Sequence, residues 1–457
     1  MAGVEVVSIR TPGLGDTSYV LIHDGYALVV DPQRDVGRFL TVLAERNVQA
    51  THVLETHLHN DYVSGGRELA RRLDADLVIP AAAGVAFAHV PAFHGEPLAG
   101  ESGLSICPLH TPGHTPEHTS YLVLEEERPV AVFSGGSLLV QAAGRTDLLG
   151  EARARQLAFA QFGSVTRLAR LPGHVELLPT HGQGSFCTST AAGPETSTIG
   201  REQSESPVLR YASADEFADA QLAGLQPYPS YYASMGPINL MGPPPMPPLD
   251  VPELTGPQVD ALAGKAQLVD ARPRRSFAAG HLPGSLGIEA GDGFASWVGW
   301  LTEFGSPLVF VVEEEDPRAL AKDVARIGFD RVVGFVRDLT PWARQGELSS
   351  YRVATLEEFG AAARDPAKHS ILDVRAPGEW AGAHIPGSVN RYVPDLLDAP
   401  LGYEPGAEVW VACESGFRST IAAGLLQRQG AIPVVLDEGG VTDVLALPTF
   451  RREALSR

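Results

Sequence analysis

No stretch of this chain approaches the roughly 18 uninterrupted apolar residues that a membrane-crossing helix needs. Basic residues are also scarce. The 35 Lys and Arg stand against 55 Asp and Glu, a net charge of −20, which argues against electrostatic capture of nucleic acid or anionic lipid. Cysteine is scarcer still. Cys107, Cys187 and Cys413 are too few and too scattered for a disulfide framework, and no two of them make the Cys-x-x-Cys pair of a structural zinc finger. The expectation is a protein of a reducing cytoplasm. Residues Met1 to Arg10 lack a basic region followed by an apolar one, so no signal peptide is expected. The remaining composition, 44% hydrophobic and 20% charged over 457 residues, is that of an ordinary globular protein with about two to four domains.

Short β-rich and helical runs alternate through the first 200 residues. Tyr19 to His23, the turn Asp24-Gly25, and Tyr26 to Asp31 predict a hairpin. Apolar residues at helical spacing predict a helix over 36–47, and the strand 51–55 delivers His57 and His59 onto a loop. A short helix over 65–73 and a strand over 76–79 follow. Pro and Gly then dominate from Gly224 to Pro248, which predicts an extended, semi-rigid connector over 226–254. Beyond it lies an internal repeat. Asp270-Ala-Arg272 with Gly280-His281-Leu-Pro283 is echoed by Asp373-Val-Arg375 with Ala383-His384-Ile-Pro386. The Asp-to-His separation is 11 in both (281 − 270 and 384 − 373), and the offset is 103 residues (373 − 270). The predicted division is 1–225, the connector 226–254, 255–346 and 347–457, the last two being copies of one small α/β domain.

Residues 408–412 read as a strand that runs into Cys413-Glu414-Ser415-Gly416-Phe417-Arg418, with helical character over 419–429. A strand–loop–helix surrounds Cys413 with backbone N–H groups and the positive end of a helix. Gly416 lets the backbone curl close, Arg418 adds charge, and Ser419 is the expected N-cap. Such surroundings favour a thiolate and would hold a persulfide or a sulfur oxyanion. The loop, with Asp373, Arg375, Glu379-Trp380 and His384, resembles the active loop and frame of rhodanese sulfurtransferases. The resemblance implies that Cys413 accepts a sulfane sulfur, with Glu414, Ser415, Gly416, Phe417 and Arg418 lining its substrate. Dual-specificity phosphatases carry a similar loop, but with five residues between Cys and Arg rather than the four here. In the earlier copy the corresponding strand leads into Glu313-Glu-Glu-Asp316, with no cysteine, and that copy is expected to be catalytically silent.

The first half carries a different chemistry. His57-x-His59-x-Asp61 places three candidate metal ligands on one loop, and His114 and His181 follow in Pro112-Gly-His114 and Pro179-Thr-His181-Gly. Histidines and carboxylates spread over strand ends are how binuclear zinc or mononuclear iron sites are assembled. Three such segments in this order resemble the metallo-β-lactamase fold. With Asp31-Pro-Gln-Arg34-Asp35 and Gly144-Arg145-Thr-Asp147, the chain is similar to persulfide dioxygenases, especially bacterial fusions that append two rhodanese-type domains. That likeness implies one ferrous ion held by two His and one Asp. His57 and His114 take the histidine positions, but the Asp position reads Phe133-Ser-Gly-Gly136, and Tyr62 stands where a further His ligand is usual.

Three readings of this half stay open: a pseudoenzyme without metal, a weakened Fe(II) site completed by Asp61 or water, and a Zn(II) site of His57, His59 and His114. The expected fold is an αββα metallo-β-lactamase-like sandwich followed by two rhodanese-like α/β domains. The expected reaction is sulfane-sulfur transfer through Cys413 from thiosulfate or a low-molecular-weight persulfide to a glutathione-like thiol. The rivals are a working dioxygenase, a zinc hydrolase and a non-enzymatic sulfur-binding scaffold. The acidic chain and silent copy further suggest a homo-oligomer.

Overall fold

The computed structural model describes residues 3–98, 104–189, 192–193, 195–397, 402–448 and 450. Among these, no helix is long and apolar enough to cross a membrane. Met1–Pro248 with Ala325–Gly328 form one compact unit, and Leu249–Val324 with Phe329–Arg457 form another.

The first unit is a four-layer sandwich. One sheet has six strands in the order Glu5–Thr11, Asp16–His23, Tyr26–Val30, Gln49–Leu54, Asp76–Pro80 and Val90–Ala92. The other has five, in the order Ser197–Thr198, Glu176–Pro179, Arg128–Gly135, Thr119–Glu125 and Leu104–His110. Successive side chains point to opposite faces of a strand, so Asp16–His23 serves two cores at once. Tyr19 and Leu21 pack between the sheets with Tyr121, Phe133 and Leu178. Val20 and Ile22 face the layer of helices Gly37–Arg46 and Gly66–Leu73 through Phe39, Leu43 and Leu69. Helix Glu151–Leu168 covers the second sheet through Val165 and Leu168. The hairpin, both early helices and the strand before His57 lie where the sequence pattern predicts them.

The connector differs from expectation. Residues Tyr232–Met241 form a helix, with Pro237 inside it, and residues up to Pro248 cluster with the first unit rather than standing between domains. Composition was misleading because one face of this segment is apolar. Tyr231, Tyr232, Met235 and Asn239 are buried, and Asn239 fastens the helix to the His57–Asp61 loop region. Its Nδ2 donates to the carbonyls of His59 (2.8 Å) and Tyr62 (2.9 Å), and its Oδ1 accepts from Ser64 N–H (2.9 Å). Asn239→Ala orphans three backbone groups, two of them on the buried His59 and Tyr62. A loss of about 1–3 kcal/mol is expected in a denaturant melt, and an unchanged midpoint would count against this anchoring.

In the second unit a parallel sheet runs Asn390 side first: Val389–Asn390, Ser370–Asp373, Glu408–Ala412, Ile432–Leu436 and Arg352–Ala354. A second parallel sheet repeats that order as Leu286–Gly287, Gln267–Asp270, Leu308–Val311 and Val332–Val336. A lone parallel bridge from Glu253 to Phe335 stands in the fifth place. The local bracing repeats too. Arg375 grips Asp373 (Nη2–Oδ2 2.8 Å) and donates to the Ala383 carbonyl at 2.6 Å, while Arg272 grips Asp270 (2.7 Å) and donates to Gly280 at 2.8 Å. His384 stacks on Trp380 and His281 on Phe277, each with ring centroids 3.9 Å apart.

Candidate functional site

The strand ends of the first unit bring histidines and carboxylates into one buried cluster. His57, at the end of strand Gln49–Leu54, has its ring centroid 4.1 Å from His59, 4.8 Å from His114 and 5.3 Å from His181. None of the four is more than 1% exposed. Asp31 organises this region from a left-handed backbone conformation (φ 51°) that a non-glycine residue adopts only at a cost. Its carboxylate accepts from Thr56 N–H (2.7 Å), Thr56 Oγ1 (2.7 Å) and Thr180 Oγ1.

Three of the histidines are held through Nδ1. Thr56 Oγ1 spends its proton on Asp31, so at 2.9 Å it can only accept from His57 Nδ1. His114 Nδ1 donates to the Arg145 carbonyl at 2.8 Å. His181 Nδ1 meets Asp16 Oδ1 at 2.8 Å and Asp61 Oδ2 at 3.4 Å. The Nε2 atoms of His57 and His181 lie only 3.3 Å apart.

His59 is turned the other way. Its Nε2 lies 3.2 Å from Asp31, 3.1 Å from Glu55 and 3.0 Å from the Tyr62 hydroxyl. Burial opposes its charged form, but Asp31 and Glu55 outweigh burial and hold its pKa well above the usual range. Burial and the facing imidazoles hold His57 and His114 well below it. Burial also pushes Asp16 and Asp61 up to about 7.

Gly136 sits against this cluster. Its N–H donates to His118 Nε2 at 2.9 Å, and a Cβ built there would lie 2.7 Å from His114 Cγ and 2.8 Å from Nε2. The position that the sequence likeness reserves for a carboxylate is therefore filled by the His114 ring.

In the second unit Cys413 ends the Glu408–Ala412 strand and is 1% exposed. Helix Phe417–Arg428 begins two residues earlier than expected. Gly416, at φ 81°, is its N-cap, while Ser419 lies buried inside the first turn and caps nothing. Only glycine suits position 416, because a Cβ would collide with the Asp437 carbonyl. Glu414 Oε2 takes Arg375 Nη1 at 3.0 Å, and the Ser415 carbonyl accepts from Arg274 Nη1. Arg418 is gripped by Glu379 at 2.5 and 2.8 Å rather than aimed freely at the loop. Phe417 joins an aromatic wall with Trp297 (6.2 Å), which continues to Trp300 and Tyr392.

Comparison with known proteins agrees with both geometries. Residues 12–190 match the metallo-beta-lactamase superfamily and residues 355–446 the rhodanese-like domain. The chain joins a metallo-β-lactamase domain to a rhodanese-like domain. A crystal structure of a metallo-beta-lactamase from Staphylococcus aureus superposes with a TM-score of 0.66 at 25% identity, covering 73% of this chain and 99% of that one. A hydroxyacylglutathione hydrolase from Methylobacillus flagellatus is 32% identical over 36% of this chain and 60% of its own length. A probable metallo-hydrolase from Bacillus subtilis, YqgX, is 28% identical over 42% of this chain and 91% of its own length. The chain thus spans less than two thirds of the hydroxyacylglutathione hydrolase it matches.

In the metallo-β-lactamase domain the fit to a metal ion is a matter of unpartnered atoms. Among the described residues, His114 Nε2 and His59 Nδ1 are buried without a hydrogen-bond partner, a state that buried polar atoms rarely keep. Among the described residues, three ligand groups are close enough to share an ion: His57, His114 and His181; Asp31, His57 and His59; and His59, Asp61 and His181. The expected zinc set of His57, His59 and His114 is not among them, because Asp31 and Glu55 draw His59 Nε2 away. A cavity of about 20 Å³ bounded by His57, His59 and Glu55 has room for about one water.

Sequence reasoning missed Asp16, Asp31, Glu55 and Gln161. Gln161 Oε1 accepts from His114 N–H at 2.7 Å, and its Nε2 donates to the Ser137 carbonyl at 2.6 Å. A fully buried glutamine on the core face of helix Glu151–Leu168 was the available signal.

Proposed function

We propose that the protein is a sulfane-sulfur transferase acting through Cys413. The observation that carries this reading is Cys413 at the end of a central parallel strand, facing a left-handed Gly416 and the start of a helix, inside the Asp373–Arg375 and Glu379–Arg418 braces. The thiolate Sγ attacks the outer sulfur of thiosulfate; a new S–S bond forms and sulfite departs with the electron pair of the old one. A low-molecular-weight persulfide reacts likewise and releases its thiolate. An acceptor thiolate then attacks the outer sulfur of the Cys413 persulfide, carries it off and restores the Cys413 thiolate.

The repeated strand order and bracing support reading 255–346 as a second, cysteine-less copy. It contributes Arg274, Trp297 and Trp300 to the surroundings of the loop.

A divalent ion held in the first domain would supply Lewis acidity. We assign no persulfide oxidation to it. Gly136 offers no carboxylate to complete the two-histidine, one-carboxylate set that such chemistry would use.

The test is to load the full-length protein with thiosulfate, remove the excess and add cyanide. About one thiocyanate per chain is expected, and before cyanide the peptide bearing Cys413 should be heavier by one sulfur atom. Absence of cyanide-labile sulfur, or its appearance on Cys187 alone, would overturn the reading.

A further inference from the structure

Given the transferase reading of Cys413, on which this rests, we infer that Arg274 of the cysteine-less copy is a positioning residue for the sulfur-carrying loop. By holding the Ser415 carbonyl it turns the Gly416 N–H toward the sulfur on Cys413. The two copies differ at the residues concerned. Their Asp, Arg and His braces repeat at a separation of 103 residues (373 − 270). At that separation from Arg274 and Glu289 the copy that carries Cys413 has Pro377 and Tyr392 instead (377 − 274 and 392 − 289). A helix begins at Arg274 in one copy and at Pro377 in the other, so the fold itself needs no arginine there.

Arg274 reaches out of its own copy. Its Nε donates to Glu289 Oε2 at 2.9 Å, which fixes the guanidinium, and its Nη1 donates to the Ser415 carbonyl. The same fork stands 3.6 Å from Oδ1 of Asp437, a buried carboxylate just beyond the strand Ile432–Leu436. The approach to the loop is close: a Cβ built on Gly416 would come 2.9 Å from Arg274 Nη1. A planar guanidinium serves fixed acceptors on two sides in one geometry, which a lysine ammonium does not.

A trans peptide points its C=O and N–H in opposite directions. With the Ser415 carbonyl drawn to Arg274, the Gly416 N–H is directed away from Arg274. Gly416 at φ 81° and the helix that starts at Phe417 bring successive N–H groups together, an arrangement that suits negative charge. A cation on the carbonyl also polarises that peptide and strengthens its N–H as a donor. When an acceptor takes the outer sulfur, the electron pair of the broken S–S bond returns to Cys413 Sγ. A directed N–H stabilises that charge as it develops.

The test compares full-length wild type, Arg274→Ala and Arg275→Ala in thiocyanate formation from thiosulfate and cyanide, with a melting temperature for each. Arg275 is the control, since its Nε donates to the same Asp437 at 2.8 Å but its guanidinium pairs with Asp437 and Glu438 rather than with the loop. In Arg274→Ala, kcat and kcat/KM are expected to fall together by at least about 10-fold, the scale of one charge-assisted hydrogen bond. The melting temperature should stay at the wild-type value, and Arg275→Ala should keep wild-type rates. Wild-type kcat in Arg274→Ala would overturn the inference. So would a raised KM alone, which would make Arg274 a donor-binding group, or an equal loss in Arg275→Ala, which would trace the effect to contact between the copies at large. Should Arg274→Ala not fold, Arg274→Lys decides, because it keeps the charge without the fork: a several-fold lower kcat is expected, and wild-type kcat overturns. A wild-type protein that forms no thiocyanate would overturn the Cys413 reading and this inference with it. An active wild type beside an unaffected Arg274→Ala overturns this inference alone.

Discussion

Cys413→Ser is expected to cut thiocyanate formation from thiosulfate and cyanide by at least about 10³-fold, the scale on which loss of a covalent nucleophile acts. The substitution is nearly isosteric, and the hydrogen bond from Val441 N–H to the Cys413 carbonyl at 2.9 Å is untouched. The fold and the Arg375 and Arg418 braces should therefore persist, with an unchanged circular dichroism spectrum as the check. What changes is the attacking atom, because a serine hydroxyl has neither the acidity nor the polarisability of a thiol. Neither remaining cysteine is placed to compensate. Cys187 is fully buried, and burial pushes its thiol well above the usual range, as burial also raises Cys107. Cys187→Ala should accordingly turn over at the wild-type rate. Equal rates from Cys413→Ser and wild type would remove the transferase reading altogether.

How much was legible depended on how local the physics was. The strand at 408–412 was read to the residue because a short apolar run and the following loop are written in consecutive residues. The helix after it was misplaced by two residues. Serine is the commoner N-cap, but here a glycine reaches the left-handed conformation that the turn requires. The Asp-x-Arg and His repeats announced the two α/β sheets, since the same braces recur at Asp270 and Asp373. Composition failed at Tyr232–Met241. There the buried spacing of Tyr232, Met235 and Asn239 outweighs the helix-breaking tendency of Pro237. In the histidine cluster the sequence named the residues but not their orientation. Which nitrogen of His57 carries a proton depends on Thr56 and, through it, on Asp31, 25 residues away. Whether His181 can join depends on Asp16, 165 residues away. No motif spans such distances, so the orientation of the rings emerges only from the folded chain.

Gly136→Asp tests that point most severely, because sequence likeness and structure disagree on its outcome. By likeness it restores a missing iron ligand and should improve the site. By structure it fails. Gly136 has no left-handed strain to forbid a side chain, so the obstacle is space alone. The new Cβ would press on a His114 ring held by the Arg145 carbonyl on one side and flanked by Gly144, where a Cβ would likewise come 2.8 Å from His114 Nδ1. The ring cannot retreat without breaking its hydrogen bond, and helix Glu151–Leu168 fixes its backbone through Gln161. Overpacking and a newly buried carboxylate together should cost above about 3 kcal/mol. Any metal binding by the histidine cluster should weaken with the displacement of His114, and oxygen uptake with glutathione persulfide should be absent after Fe(II) loading. A variant that keeps the wild-type melting temperature and gains iron-dependent uptake would show that the backbone yields.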